Sequence, residues 1–222
     1  ATTAAVGNTV TISADTKITA RVFGTPQWSA QTVGVYVPSA MVATAANLVV
    51  SEIHYHPADP NPAEITAGFT NPDDFEFVEV ANISPDKVSL AGVQFVQGDI
   101  GQGIGFAFED GSTWSLAAGA RAIVVKNRLA FAQRYPGIPI AGEYRGRLDN
   151  DGDLLTLKGS SGAIIASIPS DDVCPWPAAG EGAGYTLTSA GGPPADAANW
   201  RTSLAPGGTP GGSDSVAYAG GD

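Results

Sequence analysis

Residues 74–82, Asp-Phe-Glu-Phe-Val-Glu-Val-Ala-Asn, constrain the fold more than any other stretch. Successive side chains of an extended chain point to opposite faces. Phe75, Phe77 and Glu79 then share one face, and Glu76, Val78 and Val80 share the other. Bulky apolar groups on both faces need cover on both sides, which marks an interior strand of a layered β protein. Each face also carries a carboxylate that must find donors or water.

The rest of the chain supports such layers. Its 222 residues suit one large β domain, or one domain with a piece of another. With 28 Gly and 16 Pro, it has the punctuation of many short strands. Its net charge of -11 disfavours nucleic acid and anionic membranes as partners and leaves carboxylates for divalent cations. Cys174 is the single cysteine, so an intrachain disulfide and a cysteine-based zinc site are excluded. The apolar window from Val35 to Val50 is too short and too interrupted to insert into a membrane. The start, Ala1-Thr2-Thr3-Ala4, reads as a mature or excised segment.

In order, 8–13, 16–23 and 31–37 alternate as three short strands, and 38–47 reads as a linker of small residues. A strand over 48–56 is followed by a loop over 57–72. Short strands are expected at 88–90, 93–96, 104–108 and 121–126. Asn127 can cap a helix over 128–135 closed by Pro136-Gly137, the one helix this reading predicts. Residues 154–158 and 163–168 pair as a hairpin across Gly159-Ser160-Ser161-Gly162. A last strand covers 185–188, Trp200 is the anchor of the Gly- and Pro-rich region beyond it, and 207–222 have a flexible composition.

Residues 46–210 resemble the bacterial lamin tail domain, an Ig-like β-sandwich also found at the C-terminus of nuclear lamins. The pieces that carry the resemblance are Val50-Ser51-Glu52-Ile53-His54-Tyr55-His56-Pro57, Phe75–Asn82, Ala122–Val125, Leu148–Leu157 and Asn199-Trp200-Arg201, in that order. Residues 9–13, 16–23 and 28–30 resemble the second half of the Ig-like module at the C-terminus of chitobiase and β-hexosaminidase enzymes. The expectation is an all-β, Ig-like sandwich with one short helix and a few extra N-terminal strands. Its divisions are 1–44 (partial module and linker), 45–210 (sandwich) and 211–222 (flexible tail). The resemblance implies a secreted or surface bacterial protein whose partners are its own other domains, an extracellular protein or a polysaccharide. It implies no catalytic residues and no required cofactor.

Some residues nevertheless bear chemistry. Glu52, His54 and His56 alternate on one strand, a spacing compatible with a transition-metal site and hence with a metal-dependent hydrolase. Asp149, Asp151 and Asp153 alternate around Gly152, as in a calcium loop, although Gly152 comes two positions early for an EF-hand and Ser160 stands at the twelfth position. The bland alternative is a tight turn with solvated acids. Asp73, Asp74, Glu76 and Glu79 include pairs that could serve glycoside hydrolysis, but no cleft is marked around them. Of the four tryptophans, Trp176 in Cys174-Pro175-Trp176-Pro177 is the candidate exposed platform for a sugar.

Overall fold

A computed structural model describes residues 10–98, 103–177, 186–189 and 191–214. Four short strands come first: β1 (Thr16–Ala20), β2 (Phe23–Gly24), β3 (Gln27–Trp28) and β4 (Thr32–Tyr36). β1 pairs with β4, and β2 with β3, in one antiparallel ribbon. The strand expected over 8–13 does not form across its described part, 10–13. The foot of the ribbon is fastened to the rest of the chain. Lys87 pairs with Asp15 at 2.6 Å, and Lys17 Nζ donates to the Glu109 carbonyl at 2.6 Å.

Then come β5 (Met41–Val42), β6 (Leu48–His54), α1 (Pro62–Thr66), β7 (Phe77–Asn82), β8 (Val88–Ser89) and β9 (Gln94–Phe95). β10 (Ile104–Ala107), β11 (Ser115–Leu116), β12 (Arg121–Val125) and α2 (Arg128–Arg134) are next. The chain continues through β13 (Gly142–Glu143), β14 (Arg145–Gly146), β15 (Asp153–Lys158), β16 (Ile164–Ser170), β17 (Leu187–Ser189) and β18 (Trp200–Thr202).

Six strands form one sheet, ordered β13-β12-β7-β6-β17-β18, and five form another, β14-β10-β9-β15-β16. The inner face of the first packs on the second through Val50, Ile53, Val78, Val80, Val124 and their neighbours. Its outer face carries a smaller cluster of Phe77, Ile123 and Val125, roofed by Phe131 of α2. β7 therefore lies between two apolar layers, and all six of its residues are buried. This is the architecture that its doubly apolar sequence demanded.

Two local features depart from the alternation read in the sequence. Phe75 precedes the strand, in a 3-10 turn over Pro72–Phe75 that Asn71 caps by accepting the Asp73 N–H at 3.2 Å. A second helix, α1, lies inside the expected loop over 57–72. Asn61 accepts from the N–H groups of Ala63 and Glu64, while Glu64 accepts from the Asn61 N–H at 2.8 Å. Pro62 at the first helical position adds to this capping box. Glu64 also takes both Nε and Nη2 of Arg134, which fastens α1 to α2 and holds the Glu64 carboxyl below its ordinary range. Asn61→Ala is expected to cost about 1 kcal/mol of stability, read from urea midpoints, because one capping side chain is lost.

Candidate functional site

The chemistry of the chain gathers on the two middle strands of the six-stranded sheet. Strict alternation from Leu48 would place Leu48, Val50, Glu52 and His54 on one face. A bulge between Val50 and Glu52 breaks that pattern, with Ser51 as the extra residue. Leu48, Val50, Ile53 and Tyr55 join the inner core, while Glu52 and His54 turn outward. Glu52 then stands opposite Glu79 of β7, and His54 opposite Phe77.

Both outward carboxylates are buried and occupied. Glu79 accepts from Arg121 Nη1, Ser51 Oγ and the Gly211 N–H, each at 2.6 Å. Glu52 accepts from Thr186 Oγ1 at 2.5 Å and from the Thr209 N–H at 3.0 Å. Burial pushes the Glu52 carboxyl up to about 7, against the pull of those two donors. His54 packs edge-on against the Phe77 ring, 5.2 Å between centroids, and is fully buried.

Glu76, just before β7, faces inward. It accepts from Tyr144 Oη at 2.7 Å and from the Leu148 N–H at 3.1 Å. Burial raises it to about 7, with Asp73 adding to the rise and Lys126 opposing it. Glu76 and Glu79 thus sit on opposite faces of the sheet and cannot flank one scissile bond. Glu79 is paired with the Arg121 guanidinium and accepts from Ser51 and Gly211, whereas Glu76 accepts from the Tyr144 hydroxyl and the Leu148 N–H.

The remaining candidates are spread out. His56 lies beyond the end of β6 and is partly exposed. Asp149 caps its own turn by accepting the Asp151 N–H at 3.3 Å, and pairs with exposed Arg147. Asp153 Oδ1 accepts the Leu154 N–H at 2.7 Å, and Gly152 turns the chain with φ of +121°. Among the described residues, no three His, Cys, Asp or Glu side chains converge in a set that could hold a metal ion. Trp176 is partly buried, packing on the core and on Trp200 at 6.3 Å between centroids. The exposed tryptophan is Trp28 in the ribbon, 60% accessible and stacked obliquely on Phe23 at 4.8 Å. Nothing in the residue pattern around Trp28 distinguished it, since exposure depends on how few strands cover the ribbon.

The resemblance places residues up to 210 in the sandwich, but neither it nor composition shows that the segment around 207–211 completes the site. Residues 207–214, flexible by composition, are fastened across the outer face by Glu52, Glu79 and Tyr135, and Asp214 is buried against Arg201 and Thr188. Residues 215–222 of the expected tail lie outside the described part.

Two layered sheets with buried, hydrogen-bonded strand carboxylates define a structural Ig-like sandwich. Residues 42–171 match the Lamin Tail Domain family, and the chain belongs to that family. It is an Ig-like family that is non-enzymatic in general. No curated protein and no solved structure matches the chain. Among the described residues, no helix is long and apolar enough to cross a membrane.

Proposed function

We propose that the chain is a non-catalytic, Ig-like module of a larger secreted or surface bacterial protein, where it spaces or docks neighbouring domains. The N-terminal ribbon belongs, in this reading, to a preceding chitobiase-like Ig unit. One observation carries the proposal: the buried carboxylates Glu52 and Glu79 accept hydrogen bonds from donors of their own fold. A catalytic carboxylate must keep its reactive oxygen within reach of a substrate.

The test is binding without turnover. The purified chain is expected to form a stoichiometric complex with a domain adjacent to it in the parent polypeptide, measured by calorimetry. It is expected to leave glycoside, ester and phosphoester substrates intact. Turnover that disappears in a folded Glu52→Gln or Glu76→Gln protein would overturn the proposal. A carbohydrate-binding reading is favoured by the exposed Phe23–Trp28 pair, whose faces suit stacking on sugar rings. Retention on insoluble polysaccharide that is lost in Trp28→Ala but not in Trp176→Ala would establish it.

A further inference from the structure

β17 is three residues long and meets β6 at Glu52 and Ile53. The first half of β6, 48–51, has β7 on one side; among the described residues, no strand pairs with its other edge. Small residues surround that opening, among them Ala45, Ala46, Ala81 and Ala166, with Gly191 and Gly192. None carries enough side chain to fill the space, and a hollow of about 650 Å³ remains. Sites for small molecules span roughly 300–1,000 Å³.

Strand register sets what the hollow offers. Arg121 of β12 pairs with Ala81 of β7, and Ala81 with Val49 of β6. The three form one row on the outer face, and all three line the hollow. With neighbouring strands about 4.8 Å apart, the row is about 10 Å long. Val49 and Ala81 make its floor apolar, and Ile83 and Pro194 extend that character. Arg121 stands at the β12 end and is the one charged residue of the lining. Among the described residues, its Nη1 alone is engaged in a hydrogen bond, the one to Glu79. Nε and Nη2 remain, a fork whose spacing matches a carboxylate. Glu79 does not depend on Arg121 alone, because Ser51 Oγ and the Gly211 N–H also donate to it. The guanidinium can therefore share its charge with a second anion.

We propose that this hollow binds a small apolar carboxylate, an unbranched fatty acid of medium length. Its carboxylate sits on Arg121 and its chain lies along the row over Ala81 and Val49. Charge decides the class. An apolar cation would meet Arg121 as a like charge, and a neutral chain would take water from the guanidinium without replacing it. The net charge of -11 does not reverse this, since exposed charges are screened beyond about 8 Å and Arg121 lines the hollow itself. Such binding goes beyond the docking reading and needs no neighbouring domain.

Calorimetric titration of the intact chain with sodium decanoate, below its micellar concentration, tests the assignment. One molecule is expected to bind per chain. Affinity is expected to rise about fourfold for each methylene from hexanoate to decanoate; a flat series would overturn the apolar row. Decanol is expected to bind at least about tenfold more weakly, because it lacks the charge-assisted bonds; equal affinity would overturn the carboxylate. Val49→Phe fills the floor from a partly exposed strand position and leaves Arg121 and Glu79 in place. It is expected to abolish binding, and undiminished binding would overturn the site. Arg121→Gln is expected to weaken decanoate at least about tenfold and to leave decanol unchanged. Should that variant fail to fold for want of a counter-charge to Glu79, Val49→Phe and the comparison with decanol decide. Absence of saturable binding by the intact chain would overturn the proposal and leave the docking reading standing.

Discussion

Glu79→Ala is expected to destabilise the protein by about 3–5 kcal/mol, the range for removing one partner of a buried ion pair. The side chain is fully buried and serves three donors on three different elements: Arg121 of β12, the bulge residue Ser51, and Gly211 of the segment 207–214. Alanine leaves the Gly211 N–H without its acceptor, Ser51 Oγ with only the Glu79 carbonyl, and the Arg121 guanidinium, about one-quarter exposed, without its counter-charge. That loss is a large share of the roughly 5–15 kcal/mol that a domain of this kind has. Glu79→Gln keeps two polar atoms but not the charge, and its expected cost is smaller, about 1–3 kcal/mol. Urea midpoints for both, with Arg121→Ala and the Glu79→Ala/Arg121→Ala double variant, complete a cycle. Strictly additive losses would show that the pair does not couple.

Stability is also expected to fall as pH rises from about 4.5 to above 7. Glu52 and Glu76 have ordinary values of 4.5, and burial raises each to about 7 in the folded chain. A raised carboxyl favours the folded state in its protonated form. Its contribution is complete below about 4.5 and is lost as pH rises through 7. The gap corresponds to about 3 kcal/mol for each group. Glu64 and Asp15 act in the opposite sense. The bonds from Arg134 lower Glu64; at Asp15, burial is outweighed by the bonds from Lys87 and Ser115. Their contributions are present above the ordinary carboxyl range and are lost at lower pH. Denaturation midpoints are therefore expected to peak on the mildly acidic side, and Glu76→Gln is expected to flatten the decline toward pH 8. Equal midpoints at pH 5 and pH 8 in the unaltered chain would contradict this account.

Much of the sandwich was legible because its signals are local. The hairpin of β15 and β16 follows from two alternating runs around Gly159-Ser160-Ser161-Gly162, and their pairing is observed. Asn127 caps α2 through the Leu129 and Ala130 N–H groups, as its position before the helix implied. The very short strands β5, β11, β13 and β14 were not legible, since two residues carry no period. Helix α1 could have been found from Asn61, Pro62 and Glu64, a capping pattern masked by the prolines around it.

What the sequence determined by itself is that β7 must be covered on both faces and that its carboxylate Glu79, like Glu76 just before it, must be satisfied. Phe77 and Glu79 against Val78 and Val80 allow no other arrangement of an extended chain. What only the tertiary structure decided is where those donors come from. The bulge at Ser51 turns Glu52 outward beside Glu79, and the segment 207–214 arrives more than 130 residues later in the chain to donate Gly211 to one and Thr209 to the other. A bulge is a one-residue slip set by cross-strand pairing, and a glycine-rich segment has no period of its own. Both acquire their place only from the surface against which they close.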